Sequence, residues 1–547
     1  MASGVAPLWA PFAQAADSVA LHPDRYENWA GDFRFDNVLT CAPTSPSDVA
    51  DLANWCVRQG YALRPRGAMH NWSPLCAGDR PIPMVMADTL PHLDRMEITT
   101  SHGLPAVRVQ TGARMEDLLA FIESQGFGFT AVPAVGEISV GGALAIDGHG
   151  AAVPAVGEPR LAGQTYGSMS NRVLAATAVV WSERRRRYVL RTFDRTDAEM
   201  EGLLVHLGRA FLTEVTLALE PLSNLRCVSY VDIPASELFG APGNGGRTIA
   251  SFLDSAGRLE AIWYPLTDRP WLKVWSVEST RPRTSRTVRQ PYNYPFSDNL
   301  PDAVSNLARQ LVTGNAAATP LFGQLMYAVS AAGLAATAGI DLWGAAKNTL
   351  LFVKSTTLRI HELSVVVLTR RDQVQRVVHD FTAQHERMLQ RYAEENRYPI
   401  NMPVEIRVTG LDHAADLGVA GARTAALSAL SPRPDHPEWD TAVFLSALTL
   451  PGTTGMHAFF HEMGRWLWRR FDGTDACVRP EWSKGWAYTD EAAWRDPDLL
   501  GRRIPDAFRA GRGGSADWDA AMAQLDALDP RRLFRNAFLK NFAKGAG

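Results

Sequence analysis

The chain has 547 residues, more than one hydrophobic core normally supports, so its length predicts two or three domains. Hydrophobic residues make up 46% and charged residues 21%, and this balance is typical of a globular protein. A net charge of −3 gives no reason to expect nucleic acid as a partner. The basic run Arg184–Arg187 is typical of a solvated turn or strand edge.

The five cysteines are scattered, and none of their spacings is typical of a zinc site, although one disulfide bridge is compatible with the sequence. His457 and His461 lie four residues apart, as zinc ligands on a helix do, but their aromatic neighbours favour an ordinary amphipathic helix. We therefore predict no metal. The first residues lack the basic and apolar regions of a signal peptide.

The longest uncharged run lies between Arg309 and Asp341, and it is rich in alanine and contains Pro320. This composition is poor for a bilayer span. We predict a buried or lid helix over Met326–Ile340 instead.

Residues 36–64 are predicted to form a strand, a helix and a second strand. Asn37–Thr40 is short and apolar, and Ser47 or Asp48 is the candidate N-cap of a helix that Gly60 ends. Tyr61–Pro65 is the next predicted strand.

A further strand over Val107–Ala113 and a helix over Met115–Gln125 continue this alternation. The first 220 residues therefore predict an α+β or α/β nucleotide-binding layout.

From about Val228 the pattern changes to strands with period-2 alternation. These strands are predicted at Arg258–Tyr264, Trp271–Val277, Leu358–Thr369, Val404–Thr409 and Thr441–Leu450. A long amphipathic helix is predicted over roughly Arg371–Arg397. We expect a sheet with one face packed on helices and the other face free to cover a cavity.

Two glycine-containing loops are candidates for binding a phosphate. In Arg64–Pro74 a strand runs into a loop with Gly67, where backbone N–H groups can approach an anion, and Arg66 and Ser73 add donors. Taken alone, this loop is as compatible with an ordinary turn as with a phosphate-binding site.

The second loop spans Thr130–Ala145 and continues through Asp147–Gly150. Ser139 can cap a helix whose first turn holds Gly141 and Gly142, which would bring bare backbone to an anion. A pair of ordinary turns is the alternative, but two such loops about 70 residues apart make it less attractive.

The residue pattern and spacing of these loops resemble the vanillyl-alcohol-oxidase (PCMH) type of FAD-binding fold. In that fold an R-G-x-x-H loop and a later P-x-x-G-x-x-x-V-G-G loop clamp the FAD pyrophosphate. The resemblance spans roughly residues 25–220, and it includes Tyr166–Asn171 and, more loosely, Phe211–Thr216. Asp529–Asn536 resembles the closing D-P-x-x-x-F element of that family.

This resemblance implies FAD attached covalently through the ring of His70. The other residues that it places at the cofactor are Arg66, Gly67, Ala68, Met69, Asn71, Trp72, Ser73, Pro133, Gly136, Glu137, Val140, Gly141, Gly142, Ala145, Gly148, Asn171 and Asn536.

The predicted strand Val404–Thr409 places Glu405 and Arg407 side by side on one face of an otherwise apolar strand. A solvated surface pair, worth about 0–1 kcal/mol, is the ordinary interpretation. Glu260 and Glu362 also interrupt apolar strands, so the three carboxylates and the arginine could converge on one cavity, where their pKa values would be open to tuning.

Runs over most of the chain are similar to the type II cholesterol oxidases, a family of bacterial sterol oxidases with covalent FAD. These runs are Arg66–Leu75, Leu259–Pro265, Trp271–Trp275, His361–Leu363 and Pro403–Gly410. The similarity implies an α+β, two-domain flavoprotein, with an FAD-binding domain over 1–225, a substrate domain with a large antiparallel sheet covered by helices over 226–500, and a segment over 501–547 that returns to the FAD domain.

It further implies oxidation and isomerisation of a 3β-hydroxysterol with O2, with transient contact with a membrane surface and a secreted or periplasmic location. It assigns Glu405 and Arg407 to the site with Glu260 and Glu362 as partners, and it does not decide which glutamate is the isomerisation base. Another covalent-FAD oxidase acting on a sugar, alditol or polyketide, and a flavin carrier without turnover, are the alternatives. The Trp, Leu, Ile and Val of the later strands favour the sterol.

Overall fold

The structure is a computed structural model that describes residues 19–298, 302–514 and 516–543. Its first half contains a four-stranded sheet of order β1-β2-β4-β3 and a five-stranded antiparallel sheet of order β5-β6-β10-β8-β9. The strands of this half are β1 (His22–Glu27), β2 (Arg34–Cys41), β3 (Ala62–Arg66), β4 (Met84–Asp88), β5 (Met96–Ser101), β6 (Leu104–Gln110), β7 (Phe127–Gly128), β8 (Val173–Ser182), β9 (Arg187–Asp194), β10 (Phe211–Ala218) and β11 (Glu220–Pro221).

The second half is built on one large sheet of order β15-β16-β12-β14-β13-β18-β19-β17-β20 in the described ranges, antiparallel except between β15 and β16. Its strands are β12 (Asn224–Tyr230), β13 (Arg258–Trp263), β14 (Trp271–Val277), β15 (Arg286–Thr287), β16 (Asp341–Ala345), β17 (His361–Thr369), β18 (Val404–Gly410), β19 (Thr441–Thr449) and β20 (Cys477–Pro480). The five predicted strands of this half are confirmed, with ends shifted by about three residues at most.

The α-helices are α1 (Pro46–Gln59), α2 (Met115–Ser124), α3 (Val140–Ala145), α4 (Met200–Leu203), α5 (Ala235–Leu238), α6 (Ile249–Ala256), α7 (Pro295–Asp298), α8 (Asp302–Val312), α9 (Thr319–Ala336), α10 (Ala346–Leu350), α11 (Val374–Glu394), α12 (Met456–Arg470), α13 (Ile504–Arg509) and α14 (Trp518–Leu528). No helix in the described ranges is both long enough and apolar enough to cross a bilayer.

Helix α1 shows how local sequence sets an element. Ser45, and neither Ser47 nor Asp48 as predicted, is the N-cap, because its side chain accepts from the Asp48 N–H while the Asp48 carboxylate accepts from the Ser45 N–H. Gly60 ends the helix in the left-handed region at φ 77°, as predicted.

The large sheet has one face packed on helices, as its alternating pattern predicts. Val404, Ile406 and Val408 of β18 are fully buried in one apolar cluster with Phe381 and Met388 of α11. The opposite face of the sheet is therefore left to line a cavity.

The predicted helix over Met326–Ile340 is found as α9, although it begins earlier and ends at Ala336. All five cysteines lie within the described ranges and are free thiols.

The C-terminal segment packs on the first half of the chain. The Asp529 carboxylate accepts from the backbone N–H groups of Leu533 and Phe534, which shapes the turn after α14. The Leu63 N–H of β3 then donates to the Leu533 carbonyl.

Candidate active site

One cavity of about 420 Å³ lies between the two glycine loops and the free face of the large sheet. Cavities of this size bind small molecules in proteins. Residues 67–73 and the turns around α3 form one wall, which we call the glycine wall. Seven charged side chains line another part of the cavity, which we call the charged wall: Glu260, Lys273, Glu362, Glu405, Arg407, Glu481 and Lys484.

Two glycines of the glycine wall lie where the surrounding protein leaves no space for a side chain. A Cβ on Gly67 would lie 2.1 Å from Ser139 Oγ, and a Cβ on Gly141 would lie 2.8 Å from Thr111 Cβ. Ser139 accepts from the Gly142 N–H at 3.2 Å, which confirms the predicted cap of α3. Gly67, Gly141 and Gly142 also line the cavity, and backbone without side chains at these positions fits the close approach of a dinucleotide.

His70 lies in the glycine wall between two tryptophans. Its ring centroid is 4.9 Å from that of Trp29 and 5.8 Å from that of Trp72. Burial, assisted by the nearby Lys484 cation, lowers the pKa of His70 to about 4, so its imidazole is neutral at physiological pH. Nδ1 is buried and has no hydrogen-bond partner among the described residues. A neutral imidazole with a free nitrogen fits a side chain that bonds to a cofactor.

Most of the residues predicted to contact the cofactor line this cavity. Besides Gly67, His70, Gly141 and Gly142, these are Ala68, Met69, Asn71, Trp72, Ser73, Pro133, Ala145 and Gly148. Gly136, Glu137, Val140, Asn171, Arg66 and Asn536 are not among the lining residues.

The polar side chains of this second group bind protein partners instead. Arg66 donates to Asp24 and Asp88 at 2.7 Å each, which leaves its guanidinium in two ion pairs. Glu137 accepts from the Ser355 N–H at 2.8 Å.

Asn536 and Asn171 fix backbone around the cavity. Asn536 Nδ2 donates to the carbonyls of Pro74 and Leu75 in the first loop. Asn171 Nδ2 donates to the His413 carbonyl at 3.1 Å, just beyond β18. In the structure, both side chains shape the cavity without reaching into it.

The charged wall owes its order to strand register. Glu260 of β13 lies directly opposite Lys273 of β14 on one side and Arg407 of β18 on the other. Because paired residues of neighbouring strands point to the same face, charges of alternating sign form a row. Lys273 Nζ lies 2.5 Å from Glu260 Oε2, and Arg407 Nη2 lies 3.6 Å from Glu405 Oε2 and 3.9 Å from Glu481 Oε2.

The pKa shifts of three carboxyl groups in this wall differ in direction. Burial raises the pKa of Glu362 to about 7, although Lys484 lies 2.6 Å away and lowers it. Burial also raises the pKa of Glu405, and Arg407 opposes this shift. Burial acts on Glu481 as well, but Arg407, His149 and Lys484 together bring its pKa well below the ordinary value. Glu481 is therefore ionised at physiological pH, whereas Glu362 and Glu405 are suited to exchanging a proton.

The remaining part of the cavity is apolar. Its lining includes Ile262, Trp271, Phe296, Met326, Val329, Phe352, Ile360, Met402 and Leu448. Burial raises the pKa of Tyr264 in the same region to about 12, so its phenol stays neutral. This end can accept a bulky apolar molecule and offers few polar groups.

Comparisons with known proteins assign both halves of the chain. The model of an FAD binding domain matches residues 39–182, and the model described as "Cholesterol oxidase, substrate-binding" matches residues 224–544. A solved structure titled solvent-stable cholesterol oxidase is 50% identical, with a TM-score of 0.95, and the alignment covers 96% of this chain and 98% of the other.

The cholesterol oxidase from Brevibacterium sterolicum is 41% identical at a TM-score of 0.94, with 96% of this chain and 98% of that chain covered. The chain belongs to the cholesterol oxidase family. A variant of the same Brevibacterium sterolicum enzyme with one histidine replaced by alanine aligns equally well.

The berberine bridge enzyme of Eschscholzia californica, at 12% identity and a TM-score of 0.53, shares the fold over 91% of this chain and 88% of that one. No match was found among curated protein sequences. Membership of the family confirms FAD as the cofactor and the α+β, two-domain architecture.

Sequence reasoning missed three members of the charged wall. Lys273 interrupts an apolar strand as Glu260 does, so the same alternation could have revealed it. Glu481 and Lys484 follow β20 in an irregular segment, where no periodicity marks the side that faces the cavity. The structure brings Glu260, Glu362, Glu405 and Arg407 into one cavity, and their roles stay predictions.

Proposed function

We propose that this chain is a sterol oxidase that carries FAD on His70 and converts a 3β-hydroxysterol and O2 to the 4-en-3-one and hydrogen peroxide. The observation that carries the proposal is the position of the charged wall, which faces the glycine wall on one side and continues into the apolar end of the cavity on the other. A sterol is an apolar body with one hydroxyl group, and this cavity offers one charged region in an apolar surround.

Bound FAD would supply the hydride acceptor and pass two electrons to O2. The glycine wall would hold it, with Gly67 and Gly141 giving access to its phosphates and the neutral His70 ring available for the covalent bond. The fit rests on the close contacts of these glycines and on the unpartnered His70 Nδ1.

Among the three candidate glutamates we assign the proton transfers to Glu405. Burial raises its pKa, which favours uptake of a proton, and Arg407 lies beside it. Isomerisation moves one proton from C4 to C6 of the sterol, and a single carboxylate that gains and then loses that proton balances the step. The Arg407 guanidinium would stabilise the negative charge that develops on the sterol oxygen.

We further propose that α9 contacts a lipid surface when substrate is taken up. Met326 and Val329 of this helix line the cavity, while Leu321 near its start is 52% exposed. An apolar side chain in water beside a sterol cavity is consistent with transient membrane contact. We also propose a secreted or periplasmic location, where sterol could be taken from the outer surface of a membrane.

The test uses the purified flavoprotein. After denaturation with acid, we expect the yellow colour to stay with the polypeptide, and with O2 present we expect peroxide from cholesterol and none from xylitol. Free flavin in the supernatant would contradict the His70 bond, and peroxide from xylitol alone would contradict the sterol assignment.

A further inference from the structure

The turn that follows α3 is bound to the end of β18 through two buried carboxyl groups. Asp147 lies in this turn at a left-handed φ of 66° and borders the cavity, and it is 4% exposed. Asp412 lies two residues beyond β18, the strand that carries Glu405 and Arg407, and is fully buried. The two residues therefore join the glycine wall to the charged wall.

A single serine hydroxyl stands between the two carboxyl groups. Ser428 Oγ lies 2.9 Å from Asp147 Oδ2 and 2.6 Å from Asp412 Oδ2. One hydroxyl has one proton and can donate to only one of them. If both groups were ionised, the other carboxylate would face a lone pair of the serine oxygen at hydrogen-bond distance. One further proton is therefore needed to satisfy both carboxyl groups.

The remaining contacts indicate which group carries the extra proton. Asp412 accepts from the N–H and the hydroxyl of Ser168, at 2.6 and 2.8 Å, as an ionised carboxylate does. Asp147 Oδ2 accepts from the Ala429 N–H at 2.7 Å, but its Oδ1 is buried and has no partner among the described residues. A proton on Asp147 removes the buried negative charge that would otherwise stand there.

The charged groups around the cluster do not replace this proton. Arg479 Nη1 donates to the carbonyls of Ala429 and Ser431, and Arg195 Nη1 donates to that of Val173. In the described ranges, no salt bridge joins either arginine to Asp147 or Asp412. His149, on the same turn as Asp147, points its Nε2 towards Glu481 at 3.6 Å.

Close packing around Asp412 and the end of β18 prevents the two carboxyl groups from moving apart. A Cβ on Gly167 would lie 2.0 Å from Asp412 Oδ1, and a Cβ on Gly410 would lie 2.8 Å from Tyr166 Cβ. Thr409 Oγ1 also donates to the Tyr166 carbonyl. If Asp147 ionises, its negative charge therefore stays close to Asp412, because the packing around the two groups is rigid.

We propose that Asp147 is a positioning residue that shares one proton with Asp412 through Ser428, and that this proton holds the cofactor-binding turn against the end of the catalytic strand. The proposal concerns residues that form no hydrogen bond or ion pair with Glu405 or Arg407 in the described part of the chain. It rests on the proposed function only in the expectation that FAD occupies the glycine wall.

The pH dependence has a definite sign. Burial, and next the negative charge of Asp412, raise the pKa of Asp147 to about 8 from an ordinary value near 3.8. Between these values the folded protein binds a proton that the unfolded chain has released, so this group lowers stability as pH rises from about 4 to about 8. A side-chain amide at this position cannot ionise and keeps the neutral shape, so Asp147→Asn should remove that loss.

The experiment compares the melting temperatures of the flavin-loaded wild type and Asp147→Asn from about pH 4 to about pH 9. We expect the curves to meet near the acidic end and the variant to melt about 2 °C or more higher at the alkaline end. Parallel curves, or an Asp147→Asn protein that does not fold at the acidic end, would overturn the proposal, because asparagine imitates the protonated acid.

Asp412→Asn provides the second arm. Without the Asp412 charge, the inflection that Asp147 contributes should move to lower pH by about one unit. An inflection that stays in place would show that the two groups share no proton. Both readouts are independent of sterol turnover, so a wrong substrate would leave them unchanged.

Discussion

The two walls of the cavity present different chemical groups to a ligand. The glycine wall presents backbone and small side chains, and its contacts leave no room for an added carbon at Gly67 or Gly141. The charged wall presents long side chains whose value lies in their charge. Added volume should therefore disturb the glycine loops of the first wall most, and removal of a charge should disturb the second wall most.

The charged wall contains more acidic than basic side chains. Its seven side chains are four carboxylates and three cations, as defined above. Because buried charges need partners, one acid must hold its proton more tightly than in water. Glu362 and Glu405 are the acids that retain a proton more readily, since the pKa values of both are raised while that of Glu481 is lowered.

The largest effect is expected when charge is removed from the charged wall without a change of volume. Glu405→Gln keeps the shape of the side chain but cannot accept a proton, so turnover of a 3β-hydroxysterol should fall by a factor of about 10² or more. The flavin absorbance per protein should stay the same, because Glu405 lies on the sheet face and not among the glycine loops.

Peroxide formation and the flavin spectrum measure the two halves of this expectation. Glu386→Gln on the exposed side of α11 is the matched control and should change neither. Near-normal turnover of Glu405→Gln would remove Glu405 from the chemistry, and a loss of flavin would show that the walls do not act separately.

A smaller effect is expected when volume is added to the glycine wall without a change of charge. In Gly67→Ala the new Cβ would meet both the Cβ and the Oγ of Ser139, so rotation of the serine alone cannot relieve the contact. Overpacking of this kind costs about 1–3 kcal/mol, and because it separates the two loops that would hold FAD, the flavin content of the purified protein should fall.

The ratio of flavin to protein absorbance after purification measures this loss. Gly501→Ala is the control, because a Cβ at Gly501 would meet nothing within 4 Å. Equal flavin content in both variants would contradict the role of close packing between the two loops.

The sequence predicted those features of the two walls that depend on one segment at a time. The alternation of β18 placed Glu405 and Arg407 on one face, and Ser139 was expected to cap α3 before the cavity was known. The partners of these residues depend on strand order. Nothing in residues 258–263 or 271–277 indicates that β13 lies between β14 and β18, so the ion pair of Lys273 and Glu260 could not be foreseen.

Residues assigned from the pattern of one loop show a different limit. Arg66 was expected at the cofactor because it follows the pattern of a phosphate-binding loop, but the pattern carries no information on Asp24 and Asp88, which lie 42 and 22 residues away in sequence and hold its guanidinium. The contact of Asp147 with Asp412 through Ser428 spans both halves of the chain, and the turn predicted at Asp147–Gly150 carries no information on either partner.

The smallest effect is expected at the apolar end, which belongs to neither wall. Met326→Ala removes buried side-chain atoms that line the cavity but touches no charge. The lost contacts bind substrate and transition state equally, so KM for the sterol should rise several-fold while kcat stays within a factor of about two. Steady-state kinetics with Gln324→Ala, an exposed position on the same helix, provide the control. A fall in kcat at constant KM would mean that the apolar end helps to align the sterol hydroxyl with Glu405, and the separation between a binding region and a charged reacting region would then no longer hold.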